Sequence, residues 1–108
     1  MSTFDEREKS FEAKYQHDQE KLFRITSRRN RLLGLWAAEL FGLPDNQALD
    51  YAKEVVLADF EEPGDEDVVR KMLKDFADNG VAMDEHKLRK EMNRLMDEAA
   101  RQIETESK

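Results

Sequence analysis

Residues 49–76 read "LDYAKEVVLADFEEPGDEDVVRKMLKDF", and this stretch decides the fold. Before the Pro63-Gly64 break, Leu49, Ala52, Val56 and Phe60 recur at helical spacing, with Val55 beside them. After it, Val69, Met72, Leu73 and Phe76 do the same. The break predicts one helix ending near Glu62 and another capped by Asp65. Each carries one narrow apolar stripe, so each buries one face against neighbours.

The same pattern extends in both directions. Asn79-Gly80 closes the third helix, and Asp84 opens a fourth that runs to about Ile103. Its stripe is Leu88, Met92, Leu95, Ala99 and Ile103. Upstream, Gly42 and Pro44 stop a first helix, and Asp45 is the expected N-cap of the second. Strand signals are nearly absent. The expected fold is all-α, a four-helix bundle-like domain joined by short turns.

The first helix differs from the rest. Thr3 and Glu6 have capping-box spacing, which starts it near the beginning of the chain. At ~100° per residue, Phe4, Phe11, Tyr15, Leu22, Leu33, Trp36 and Leu40 share one face to within about 40°. That face is sparse at first and dense in "LLGLWAAELF" (32–41). Residues 3 to 41 would span roughly 58 Å, against some 24–30 Å for each later helix. The front half therefore has nothing in this chain to lie along for its full length, which leaves it to fray, fold back loosely or wait for a partner. Ten of the first 21 residues are charged, which is too little apolar surface for a core. A thin aromatic stripe on a helix-prone segment suits folding on a partner; a solvated extension without a task is the plain alternative. The expected organisation is a mobile segment over 1–21, a globular domain over 22–103 and a polar tail over 104–108.

Composition narrows the function. The charged fraction of 40% and the net charge of −7 argue against general nucleic-acid affinity. They also argue for a monomer when free. No apolar run approaches the length needed to cross a membrane, and the acidic start is unlike a signal or transit peptide. The chain has no cysteine, which removes thiolate catalysis and fits a cytoplasmic location.

Three blocks carry a resemblance: "TFDEREKSFEAKY", "RRNRLLGLWAAELFGL" and "YAKEVVLADFEEPGDEDVVRKMLKDF". In this order they resemble the zeta subunit family of α-proteobacterial F-type ATP synthases, from Thr3 to about Phe76, with the last helix alike in pattern only. The resemblance implies a four-helix regulatory subunit that binds the catalytic sector (alpha, beta and central-stalk gamma subunits) and blocks ATP hydrolysis. Its inhibitory element would be the N-terminal segment, wedged between an α/β interface and the rotor, in a role like that of the mitochondrial ATPase inhibitor. The matching positions are Thr3, Phe4, Asp5, Arg7, Glu8, Phe11, Glu12, Lys14 and Tyr15. The family also implies weak adenine nucleotide binding, for which no residue here identifies a site; no cofactor is required. The protein would sit on the cytoplasmic face of the membrane-bound synthase without entering the bilayer.

The residues themselves offer a mechanism for that role. Phe4, Phe11 and Tyr15 are candidate aromatic anchors. Arg7, Lys9, Lys14 and the acids between them would set orientation and on-rate.

Other constellations have plainer readings. "SRRNR" (27–31), with Arg24 one turn before it, sets Arg24, Arg28 and Arg31 opposite the apolar stripe and Arg29 near it. Intramolecular salt bridges explain them better than a phosphate site, and Arg29 is the one expected to be partly buried. Gly34 with Ala37 and Ala38 would admit a close helix neighbour, with Trp36 filling the centre of the core.

Six carboxylates fall between Asp59 and Asp67, without the spacing of a calcium loop. Helix capping and dipole compensation account for Asp65, Glu66 and Asp67. His17, beside Asp18, would make partner binding pH-sensitive; His86 reads as a surface residue. No nucleophile–base pair, phosphate loop or metal spacing appears, so an enzyme is not expected. The alternative function is a small acidic helical adaptor for another partner, or for the synthase without strong inhibition.

Overall fold

The computed structural model describes residues 19–60 and 64–106. Four helices follow one another: α1 Gln19–Phe41, α2 Asp45–Ala58, α3 Glu66–Asp78 and α4 Glu85–Glu106. No strand occurs among the described residues. The Thr3–Glu6 capping box and the aromatic face through Phe4, Phe11 and Tyr15 lie outside the described residues, as do Glu61, Glu62 and Pro63.

Most helix stops fall where the sequence places them. Gly42 takes φ 76°, which a side chain would resist, and so turns the chain out of α1. The Leu43 N–H then donates to the Ala38 carbonyl at 3.0 Å, satisfying one of the helix-end acceptors. Asn79 and Gly80 end α3, where the Val81 N–H donates to the Phe76 carbonyl at 2.9 Å. At the start of α4 the Asp84 carboxylate accepts the Lys87 N–H at 2.8 Å, the capping bond expected of it.

Two caps are corrected. Pro44, not Asp45, holds the cap position of α2; its ring favours the extended backbone found there, and Asp45 becomes the first helical residue. Asp65 does stand at the cap of α3, but makes no side-chain capping bond because its carboxylate is turned to Arg29. The ends also shift. α2 stops at Ala58 rather than near Glu62, with the Asp59 and Phe60 side chains drawn toward α1. α4 continues three residues past Ile103, its last turn held by ion pairs to α1.

α1 is the common wall of the bundle, packing chiefly against α2 and α4, while α3 bridges those two. The main core joins Leu33, Ala37 and Ala38 of α1 to Tyr51 and Val55 of α2. Val68, Val69, Met72 and Phe76 of α3 and Leu88, Met92 and Leu95 of α4 complete it. A second cluster, Ile25 with Ala99, Ala100 and Ile103, seals the far end between α1 and α4. All five expected core residues of α4 are buried.

The close approach of α1 and α2 has one cause. A methyl group on Gly34 would stand 2.6 Å from the Ala52 Cα, so glycine is what lets the two backbones meet.

The inward faces of α1 and α2 are rotated from the expected stripes. α2 buries Tyr51, Ala52, Val55 and Ala58, while Leu49 and Phe60 are exposed. On α1 the buried arc passes through Ile25, Arg29, Asn30, Leu33, Gly34, Ala37 and Ala38 and leaves Leu40 exposed. A helix with neighbours on two sides buries a wide arc, and small residues mark its centre better than large ones. Trp36 accordingly lies at the edge of the core, half-buried, with its ring 5.6 Å from that of Phe76. Phe41 is the aromatic between layers: its ring lies edge-on to Phe76 at 5.0 Å and to Tyr51 at 5.5 Å.

Candidate functional site

All nine positions matched to the inhibitory segment (Thr3, Phe4, Asp5, Arg7, Glu8, Phe11, Glu12, Lys14 and Tyr15) lie outside the described residues, and so does His17. What is described is the root from which that segment departs, the first turns of α1. Here α1 runs beside the last turns of α4. Lys21 Nζ pairs with Glu104 at 2.9 Å. Arg28 donates through both terminal nitrogens to the Glu106 carboxylate, at 2.6 and 2.8 Å, and also to Gln102 at 2.7 Å. Beneath these bonds, Ile25 packs against Ala99, Ala100 and Ile103, with Leu22 partly buried alongside. The hydrogen bond to Arg28 holds the Glu106 carboxyl below its ordinary range and the guanidinium above its own. A forked, charge-assisted pair fixes orientation more than a single contact does.

A second polar cluster ties the middle of α1 to the head of α3. Arg29 is 1% exposed. Its Nη2 donates to Asp65 Oδ1 at 2.7 Å and its Nε to Asn30 Oδ1 at 2.7 Å. Asp59 stands nearby at the end of α2. Burial raises its carboxyl above the usual range; Asp65 and Asp67 add to the rise, while Arg29 and Asn30 oppose it. Asp67, buried in the first turn of α3, pairs with Arg70 at 2.9 Å. Glu66 instead reaches Arg89 of α4 at 2.9 Å. The six-carboxylate stretch is thus spent on cations of this chain wherever it is described, apart from Asp59, which faces a cation already engaged. No group of three or more metal-ligating side chains occurs among the described residues.

The aromatic core carries one buried hydroxyl. Tyr51 donates to Asp75 Oδ2 at 2.7 Å, and Lys71 donates to the same oxygen at 3.0 Å. The Lys71 ammonium also lies 5.2 Å from the Tyr51 ring centroid. Burial and the Asp75 carboxylate push the phenol well above its ordinary range, so it stays a donor. Nothing adjacent would make it a nucleophile. His86, expected at the surface, is exposed in the first turn of α4.

Sequence reasoning missed the pairs Lys21–Glu104 and Arg28–Glu106. Arg28 and Glu106 are 78 positions apart, and no local signal joins them. It also turned Leu49, Val56 and Phe60 inward. A second apolar residue beside that stripe, Leu57, was the available sign that α2 has an outward apolar face.

A closed helical bundle with buried polar ties between its helices and a charged surface defines a small all-α protein. Comparison with known proteins specifies which. The chain matches the model of the ATPase inhibitor subunit zeta family over residues 1–102, and it belongs to that family. A structure solved by solution NMR shares 44% of its sequence with this chain, covering 78% of this chain and 95% of its own, with a TM-score of 0.69. No curated protein matches it. Membership makes the chain an ATPase inhibitor subunit by family, which agrees with the resemblance carried by its three sequence blocks. No helix among the described residues is long and apolar enough to cross a membrane.

Proposed function

We propose that this protein binds the catalytic sector of the F-type ATP synthase on its cytoplasmic side and inhibits ATP hydrolysis by inserting residues 2–21 at an α/β/rotor interface. The observation that carries this reading is the family match over residues 1–102, which includes the N-terminal segment as well as the bundle. The root of the segment supports it. Lys21 and Arg28 are held to the end of α4, so whatever precedes Gln19 leaves a fixed platform. Phe4, Phe11 and Tyr15 act as aromatic anchors, and the mixed charges between them set register. The inhibitor blocks rotation and closure by occupying space and contributes no chemistry of its own.

The test is ATP hydrolysis by the purified catalytic sector of the same organism, with the full chain and with a version lacking residues 2–21. Inhibition by the first and not the second is the expected result. Equal inhibition by both places the active part in the bundle and overturns the insertion reading. If neither inhibits while the full chain still binds, the adaptor reading replaces it.

A further inference from the structure

The outward face of α2 is apolar, and no described residue covers it. Arg31 of α1 with Leu49, Ala52, Lys53, Val56 and Leu57 of α2 lines an open groove of about 380 Å³. Three residues beyond Leu57, the Phe60 ring packs on Phe23 with centroids 5.6 Å apart. Leu57 is 64% exposed, Phe60 57%, Phe23 53% and Leu49 46%. Four of the five large exposed apolar side chains among the described residues are therefore either in this groove (Leu49, Leu57) or in the aromatic pair at the end of α2 (Phe60, Phe23). Such clustering on so highly charged a chain marks an interaction surface rather than scattered exposure.

Its charge and length specify the occupant. Arg31 and Lys53 border the apolar floor, and neither pairs with a described carboxylate. From Leu49 to Phe60 the face runs about 16 Å, some three turns of a helix. A second copy of this chain would set Arg31 and Lys53 against their own counterparts, which disfavours a symmetric contact. We infer that the groove receives an amphipathic helix of the catalytic sector, with aliphatic side chains at i, i+3 or i+4, and i+7, and with Asp or Glu along its edge. The bundle then has its own hold on the partner, separate from residues 2–21. The identity of the partner rests on the function proposed above; the surface does not.

The probe is the purified catalytic sector, and the protein is the full chain. One variant is Leu57→Asp; the other combines Arg31→Glu with Lys53→Glu. The exposure of Leu57 leaves the fold intact, and a thermal melt of each variant verifies it. Each variant should weaken the dissociation constant roughly tenfold or more. Both should still inhibit fully at saturation, and the charge-reversed variant should lose much of the salt dependence of binding. Unchanged affinity in both variants overturns the inference while leaving the proposed function standing. A native chain that neither binds nor inhibits overturns both. A native dimer that Leu57→Asp converts to monomer assigns the groove to a second copy. Leu57→Asp shifting the amide resonances of residues 2–18 in the free chain assigns it to the chain's own segment. Either of these two results also overturns the inference.

Discussion

Arg29 of α1 meets Asp65, the residue just ahead of α3, at 2.7 Å, with the guanidinium almost wholly removed from water and the carboxylate 26% accessible. The pair joins two helices across the end of α2 and takes the Asp65 carboxylate away from its own helix cap. A buried guanidinium without its partner is costly, whereas the paired arrangement is close to neutral against an apolar replacement.

Asp65→Ala should therefore cost about 3 kcal/mol, the low end of the range for breaking a buried pair, because Asp65 is partly solvated and Asp59 stands near enough to compensate in part. Arg29→Met, which removes the charge that needs a partner, should cost less. Urea denaturation of both variants checks the order; equal losses would mean the pair acts through packing alone.

Gly34→Ala tests the contact of α1 with α2. Alanine in a helix gains up to about 1 kcal/mol over glycine. Here the added methyl meets the Ala52 backbone at 2.6 Å, so the helices must separate. A net loss of about 1–3 kcal/mol is expected, in line with overpacked cores. A raised melting temperature would show that the two helices are free to part.

Trp36→Ala should destabilise the bundle by about 2 kcal/mol, below the 3–5 kcal/mol of a fully buried aromatic, since the indole lies at the core edge. Phe76→Ala, 1% exposed, should exceed it. The ranking of the two melts is the decisive reading.

The acidic cluster predicts a pH dependence of stability. Asp59 holds its proton more tightly in the folded chain than an ordinary carboxylate does. Between the ordinary value, near ~4, and the raised one, the folded state binds more protons, so this residue lowers stability as pH rises. Asp59→Asn should raise the melting temperature at neutral pH, with the gain fading as pH falls through the raised value and vanishing near ~4. A constant difference across that window would exclude the ionisation as its cause.

Replacing Phe4 and Phe11 together with alanine should weaken inhibition roughly tenfold or more, as loss of interface anchors does. The melt of the free chain should stay unchanged. A large drop in the melt would show that these rings pack on the bundle and would count against the proposed insertion.

How much of this was legible beforehand varies by helix. α4 was read correctly along its stripe because it has one buried face and regular spacing from Leu88 to Ile103. Gly42, Asn79-Gly80 and Asp84 gave their helix ends through local chemistry that needs no partner. α1 and α2 were read with a rotation because the residues at their contact are small. Gly34 and Ala52 carry little hydropathy, whereas Leu49, Val56 and Trp36 carry much and lie outside or at the edge. The tie of Asp65 to Arg29 spans 36 positions, so only its place ahead of α3 is legible locally. The positions matched to the inhibitory segment rest on family likeness alone; only Phe4, Phe11 and Tyr15 among them also share a helix face by spacing.

The root of α1 also has a mechanical meaning. α1 continues without a break from Gln19 to Phe41. A pull or push delivered at its first turn runs along the helix axis. Ile25 against Ile103, the Lys21 and Arg28 bridges and the Gly34–Ala52 contact all lie along it and share that load. If residues 2–21 insert as proposed, contacts spread along one helix hold their root more firmly than any single contact would.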